Sequence, residues 1–339
     1  MSEHKPRKIL VTGGAGFIGC NYVRWLQDND ADVQIIDLDA LTYAGSMDNL
    51  QGLPDPKRHV FIEGNICDRP LVDRTLRENK IDTVVHFAAE SHVDRAITGP
   101  AAFIETNFVG TFQMLDAARD YWLGDNGDNG VDAASCRFHH ISTDEVYGTL
   151  GPDDPAFTEA TAYAPNSPYS ASKAGSDHLA RAYFHTYGLP VTISNCSNNY
   201  GPFQHGEKFI PTVIRSCMEG KAIPVYGDGS NVRDWLYVDD HCSGIDRVLR
   251  RGRLGECYNI GGENEWNNID LVHRICAVFD EIRPGAAPHK NLISYVTDRA
   301  GHDWRYAIDI NRISSELDWK PAETFETGLR KTIEWYCKR

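Results

Sequence analysis

No hydrophobic stretch in this 339-residue sequence approaches the roughly 20 apolar residues that cross a bilayer. A helical membrane span is therefore not expected. The first residues, Met1-Ser2-Glu3-His4-Lys5-Pro6-Arg7, lead straight into a strand pattern without an apolar signal-peptide core, so a cytoplasmic location is expected. Basic charge is scarce too: 34 Lys and Arg against 48 Asp and Glu leave a net charge of −14. That balance opposes nucleic acid and anionic membrane surfaces as partners. An anionic small substrate would need its own local basic residues. C-x-x-C pairs are missing, and the nine cysteines (Cys20, Cys67, Cys136, Cys196, Cys217, Cys242, Cys257, Cys276 and Cys337) show no metal-ligand spacing. They are expected as reduced, small buried side chains, and no metal is expected. Internal repeats and low-complexity tracts are absent as well.

What is present is an ordinary globular composition, 41% hydrophobic, long enough for one large domain or two smaller ones. The first part alternates strand-like and helix-like segments, the pattern of a parallel sheet wrapped by helices. Lys8–Thr12, Val33–Asp39, Val60–Gly64, Thr83–Ala89 and Arg137–Thr143 read as strands. Asn21–Asn29 and Asn107–Tyr121 read as helices, and 124–130 as a polar, turn-rich loop. Beyond Tyr187, prolines at 190, 202, 211 and 224 break the pattern into short segments. The expected fold is a Rossmann-type doubly wound α/β sheet over residues 1–196, with a smaller mixed α/β lobe over 197–339. Val191–Ser194 still reads as a core strand, and the chain is expected to cross back to the first domain around 232–250.

Gly13-x-x-Gly16-x-x-Gly19 follows the first strand at once and precedes a helix. Residues without Cβ let the backbone turn tightly and approach a pyrophosphate at the helix amino end. A glycine run alone also describes a plain strand–helix turn. Here Asp37 and Asp39 follow about 20 residues on, which points to nucleotide binding with a free ribose hydroxyl, hence NAD over NADP. Tyr169 and Lys173 are one helical turn apart and share a face. An ammonium beside a phenol lowers its pKa from about 10, making a base for hydride transfer from a sugar carbinol. The same spacing describes an ordinary surface helix. Thr143, upstream at the end of a strand, supports the catalytic reading.

Asp144 and Glu145 follow Thr143 directly. Alone they read as a solvated acidic turn. At the carboxyl end of a sheet strand, where open α/β sheets bind ligands, they supply an acid and a base that a plain dehydrogenase does not need. An acid role requires Asp144 to be protonated, through burial or through Glu145 as a like charge.

The segments Gly13–Gly19, Ala88–Asp94, Ser142–Gly148, Ser167–Lys173, Ser197–Pro202, Arg233–Val238 and 298–303 resemble those of the dTDP-glucose 4,6-dehydratases, within the extended short-chain dehydrogenase/reductase family. The resemblance covers nearly the whole chain; single segments are shared with epimerases, the set is specific. It implies NAD-dependent oxidation of dTDP-glucose at carbon 4, elimination of water across carbons 5 and 6, and hydride return to carbon 6. Thr143, Asp144, Glu145, Tyr169 and Lys173 would be catalytic, with Glu145 taking the carbon 5 proton and Asp144 protonating the leaving hydroxyl. To NAD it assigns Gly13, Gly16, Phe17, Ile18, Gly19, Asp39, Ala40, Leu41, Thr42, Asn65, Ile66, Phe87, Ala88, Ala89, Glu90, Ser91, Thr106 and Asn199, with Tyr169 and Lys173, and it favours Asp39 over Asp37 as the ribose ligand. To the sugar nucleotide it assigns Ser91, Thr143, Asn198, Lys208, Phe209, Pro224, Tyr226, Arg233, Asn268, Arg299 and His302. A homodimer through the helices near Asn107–Tyr121 and Pro168–Tyr187 is the family expectation. Asn65 stands where the family usually has Asp, and Ala300 where it has Pro. Gln204-His205-Gly206-Glu207 departs from the family's usual loop, which bears on base preference. The remaining alternatives are a dehydratase or 4-epimerase of another nucleotide sugar, such as a UDP- or GDP-hexose, and a non-catalytic NAD-binding protein.

Overall fold

The computed structural model describes residues 3–124, 131–285, 288–298 and 303–339. Most of the polar loop expected at 124–130 therefore lies outside the described residues.

Short runs rich in Ile and Val make the strands, and amphipathic segments between them make the helices that cover the sheet. In chain order these are β1 (Lys8–Thr12), α1 (Phe17–Asn29), β2 (Gln34–Asp39), β3 (His59–Glu63), α2 (Arg69–Glu78), β4 (Thr83–His86), α3 (Val93–Thr98), α4 (Pro100–Phe103), α5 (Thr111–Trp122) and β5 (Arg137–Thr143). There follow α6 (Pro168–Tyr187), β6 (Val191–Cys196), β7 (Asn198–Tyr200), α7 (Phe209–Glu219), β8 (Ile223–Tyr226), β9 (Val232–Tyr237) and α8 (Val238–Arg251). The chain ends with β10 (Cys257–Ile260), β11 (Glu265–Asn267), α9 (Asn268–Ile282), β12 (Ile293–Val296), α10 (Asn311–Leu317) and α11 (Phe325–Cys337).

Seven strands form one parallel sheet in the order β3-β2-β1-β4-β5-β6-β10. The order reverses between β1 and β4, and a doubly wound sheet of this kind opens a ligand crevice at the carboxyl ends beside that point. One face is covered by α1 and α8 with the end of α10, in a core that includes Val23, Leu26, Ile245, Leu249 and Trp319. The other face carries α2, α5 and α6 over Val84, Phe138 and Val191. The return to the first layer, expected around 232–250, runs from α8 through β10 and adds a seventh strand. The second lobe holds a three-stranded sheet, β11-β9-β7, and a two-stranded one, β12-β8. Helices α7, α9 and α11 bury Ile214, Ile275 and Leu329 against them.

Two expected segments come out differently. The helix expected from Asn107 starts instead as a wider π-type turn over Ile104–Gly110 before α5. Strand β4 stops at His86, because Phe87–Glu90 leave the sheet and turn along the cleft. Helix α6 has the strongest local signals. Ser167 accepts from the Ser170 amide at 3.0 Å and Ser170 Oγ accepts from the Ser167 amide at 3.0 Å, a reciprocal cap with Pro168 in the first turn. Gly188, at φ +74, ends it.

Ile245 is fully buried between α8 and the sheet. Ile245→Ala is expected to cost about 2–5 kcal/mol of unfolding free energy, read from denaturant melts, because it opens a cavity where the returning segment docks.

Candidate active site

The carboxyl ends of β1, β2, β4, β5 and β6 open on one cavity of about 320 Å³. Its floor at the β1 end is made by the glycine turn. Gly13 sits at φ +76, and a Cβ there would lie 2.9 Å from the Ala88 backbone. A Cβ on Gly19 would lie 2.2 Å from the Gly13 carbonyl oxygen. Helix α1 begins at Gly16 with no side chain capping its first amides, and Phe17 and Ile18 line the cavity. An uncapped 13-residue helix aimed at a cleft, reached over side-chain-free backbone, fits a dinucleotide pyrophosphate.

The two acidic residues of β2 separate in space. Asp37 is fully buried and accepts from the Gly14 amide at 3.0 Å, supporting the turn from below. Asp39 lines the cavity, accepting from the amides of Ala15 at 2.9 Å and Leu41 at 2.8 Å. Those bonds hold Leu41 at φ +47, and Leu41 itself does not reach the cavity wall. Ala40, Thr42, Asn65, Ile66, Phe87, Ala88, Ala89, Glu90, Ser91, Thr106 and Asn199 all line it.

At the β5 end the strand gives way to a tight turn over Asp144–Tyr147, capped by Thr143 Oγ1, which accepts from the Glu145 amide at 3.3 Å. Neighbouring side chains of a strand point to opposite faces. The turn overrides that alternation, so Thr143, Asp144 and Glu145 all face the cavity with Tyr169 and Lys173. Asp144 is 2% exposed. Burial, then the charge of Glu145, then that of Asp234 hold its carboxyl well above the usual carboxylate range, against Arg233 and a hydrogen bond from Thr143. A pKa shifted in that direction is what a proton donor requires.

The expected lowering of the Tyr169 pKa by Lys173 is not what the structure has. Burial, then Glu145, push the Tyr169 phenol well above its ordinary range, and a hydrogen bond with Thr143 works against them. Lys173 Nζ donates to the Ile141 carbonyl at 2.6 Å. Burial also lowers the Lys173 pKa, opposed by Asp177 and then Cys196.

The residues assigned to the sugar nucleotide divide into two groups. Ser91, Thr143, Asn198 and Lys208 line the cavity, and Lys208 Nζ donates to the Ser91 carbonyl at 2.8 Å, bridging the two lobes. Phe209, Pro224, Tyr226, Arg233 and Asn268 do not line it; they lie in the second lobe. Phe209 stacks on Trp235. Arg233 is buried, lies 4.2 Å over the Tyr306 ring, and donates to the carbonyls of Val232, Asp303 and Trp304. Its guanidinium holds the 303–304 segment to β9 and lies near enough to Asp144 to oppose the rise of that carboxyl's pKa. Arg299 and His302, with Ala300, lie outside the described residues.

Several wall residues were given no site role from the sequence, among them Cys196, Ser197 and Gln204. The loop that departs from the family pattern does reach the cavity, through Gln204 and His205. Glu207 of that loop pairs with His92 at 3.2 Å and Arg95 at 3.4 Å, and Arg95 lies 3.8 Å over the Tyr43 ring. The pattern gave no way to see this clasp between lobes.

A plain dinucleotide-binding domain has no need to bury a tyrosine and a lysine beside its glycine turn. That combination marks the short-chain dehydrogenase/reductases, the class of protein that the sheet and cleft define. A family model described as GDP-mannose 4,6 dehydratase matches residues 10–332. A dTDP-glucose 4,6-dehydratase of Escherichia coli (strain K12) is 56% identical over 337 residues, covering 97% of this chain and 92% of the relative. One from Neisseria meningitidis serogroup B is 52% identical over 334 residues, covering 97% and 93%. The chain belongs to the dTDP-glucose 4,6-dehydratase family. Among solved structures, the Streptomyces venezuelae dTDP-glucose 4,6-dehydratase with NAD and dTDP bound has 47% identity and a TM-score of 0.88, covering 98% of this chain and 97% of that one. A UDP-glucose 4-epimerase from Thermotoga maritima has a TM-score of 0.83 at 27% identity, covering 98% and 99%.

The infrared difference spectrum between the parent and Asp144→Asn is expected to carry a protonated-carboxyl band that persists at about pH 6, above the ordinary aspartate range. A spectrum with only carboxylate bands at that pH contradicts the burial argument.

Proposed function

We propose that this chain is an NAD-dependent hydro-lyase that converts dTDP-glucose to dTDP-4-keto-6-deoxyglucose. The single observation that carries the reading is the placement of a buried Asp144, whose pKa burial and Glu145 raise, together with Glu145 in the same cavity as Tyr169 and Lys173. Epimerases share the fold, but the relatives with this chain's degree of identity are dehydratases.

Bound NAD supplies the hydride acceptor, and its oxidised ring brings a positive charge into the cleft. The glycine turn, the first amides of α1 and Asp39 hold it. Tyr169 must enter the step as its phenolate, favoured by the positive charges of Lys173 and of bound NAD against the burial that raises its pKa, and it takes the carbon 4 hydroxyl proton to become the neutral phenol. Thr143, hydrogen-bonded to Tyr169, orients that hydroxyl. A carbon 4 ketone acidifies the hydrogen on carbon 5, which Glu145 removes. Hydroxide is a poor leaving group, so Asp144 gives its proton to the carbon 6 oxygen and water departs. Glu145 then returns a proton to carbon 5 when carbon 6 is reduced.

A homodimer is part of the same reading. Phe108 and Phe112, on the turn leading into α5, are exposed, as is Tyr187 at the end of α6. A second copy of the chain would cover them. The nine free cysteines fit a reducing cytoplasm; among the described residues, no helix is long and apolar enough to cross a membrane.

Incubated with dTDP-glucose in deuterated water, the protein is expected to release a product lighter by one water and carrying one solvent deuteron at carbon 5, with UDP- and GDP-hexoses turned over more slowly. An unchanged mass with inversion at carbon 4 would make it an epimerase. Asp144→Asn should keep carbon 4 oxidation and slow elimination by roughly 10²–10⁴-fold, whereas Glu145→Gln should suppress exchange of the carbon 5 proton. Gly13→Ala should leave purified protein with little NAD, measured by absorbance of the released cofactor.

A further inference from the structure

One buried carboxylate near the reaction centre has no part in the chemistry above. Asp177 stands one turn after Lys173 on α6 and is 3% exposed. Two hydroxyls donate to its Oδ2, Ser142 Oγ at 2.8 Å and Tyr163 OH at 3.0 Å, while Oδ1 accepts no hydrogen bond and lies 3.1 Å from His140 Nε2. Tyr163 OH already accepts from Asn195 Nδ2 at 3.1 Å, so its proton points at Asp177. His140 Nε2 also lies 3.2 Å from Ser176 Oγ, whose own proton goes to the Lys173 carbonyl at 2.8 Å. Nε2 is therefore the donor to Ser176. A carboxylic acid needs an acceptor for its proton, and both groups hydrogen-bonded to Asp177 are donors. It is built for an anion.

An anion sealed from water needs a cation. On its own helix Asp177 faces Lys173 and the exposed His178. From the other elements it faces His140 on β5, Tyr147 and Tyr163 on the segment before α6, and Cys257 on β10. Burial holds His140 well below its ordinary range, so that ring is neutral. Lys173 is the strongest cationic influence on Asp177, and Asp177 the strongest influence keeping Lys173 charged. His86 on β4 and Cys196 on β6 also face Lys173, and burial keeps both uncharged.

We propose that Asp177 is a positioning residue for the reaction: its carboxylate is the counterion that keeps the Lys173 ammonium charged in the dry floor of the site. This rests on the reading of Tyr169 and Lys173 as the hydride-transfer pair. Burial pushes the Asp177 carboxyl up to about 6, so it is ionised through the neutral and alkaline range in which Lys173 must keep its proton. Without that charge, burial acts on Lys173 unopposed and its proton is lost at lower pH.

The test is the pH profile of kcat for dTDP-glucose turnover. Asp177→Asn should bind NAD as the parent does, hold KM within about twofold, lose tenfold or more in kcat at about pH 8.5, and move the alkaline limb down by about one pH unit. Asp177→Glu, which restores the charge, should return the limb toward the parent's position. In a Lys173→Met background, Asp177→Asn should cost less than about twofold. A fall in kcat with an unmoved limb overturns the proposal and leaves Asp177 a packing residue. A parent that does not turn over the sugar nucleotide overturns the functional reading instead. The proposed charge coupling is then still tested, as it is if Asp177→Asn does not fold, by calorimetry of Lys173→Met against the parent. Asp177 without its cation titrates higher in the folded state, so Lys173→Met should lose stability relative to the parent as pH rises from about 6 to about 8. Parallel curves overturn the pairing.

Discussion

The active cleft depends on the fastening of helix α6 to strand β5. Lys173 donates to the Ile141 carbonyl at 2.6 Å and Ser142 donates to Asp177 at 2.8 Å, both out of reach of water. A third tie runs from the other side, where Asn107 donates to Ser172 Oγ at 2.9 Å and to the Glu90 carbonyl at 3.0 Å. The same Asn107 side chain accepts from the Glu90 amide at 2.8 Å. One helix is thereby registered against the strand that carries Thr143 and against the β4 loop that lines the cleft. Buried polar bonds of this kind are costly to break, because each lost partner leaves a desolvated group unpaired.

Within that frame, three buried carboxylates meet different surroundings. Asp144 is buried with Glu145 and Asp234 near it and a single hydrogen bond from Thr143, so its pKa is held up. Asp177 has two hydroxyl donors on Oδ2 and Lys173 one turn away, so burial pushes it up only to about 6. Asp39 has two backbone amides at the cofactor end. The division of labour proposed for the reaction follows from these surroundings, not from residue type.

Much of this was legible in the residues. The five strand segments expected before residue 144 are all strands, since apolar runs bounded by turns leave little choice, and the Rossmann-type sheet follows from their alternation with helices. Asp144 and Glu145 stood out because they follow a strand end. The tight turn that aims both at one cavity was not readable, because it depends on Thr143 capping the Glu145 amide and on the Gly148 backbone at φ +97. Strand β10 was missed as the seventh of the sheet: four residues, Cys257–Ile260, carry too little pattern to show that they pair with β6. The ties of Arg233 to the 303–304 segment and the Asp177 shell are products of tertiary packing. Spacing along the chain gives the two turn-mates Lys173 and Asp177 one face, but not the donors that make one of them an anion.

The central claim is that one cavity holds both a hydride-transfer pair and an acid–base pair, so that redox and dehydration occur on one substrate without release. The most direct measurement is a crossover experiment with dTDP-glucose deuterated at carbon 4, mixed with an unlabelled, carbon-13-marked batch, and mass spectrometry of the products. The account predicts deuterium at carbon 6 of the molecules that began with it at carbon 4, and none in the carbon-13 population. Scrambling of deuterium between the two populations, or its return to carbon 4, would contradict it.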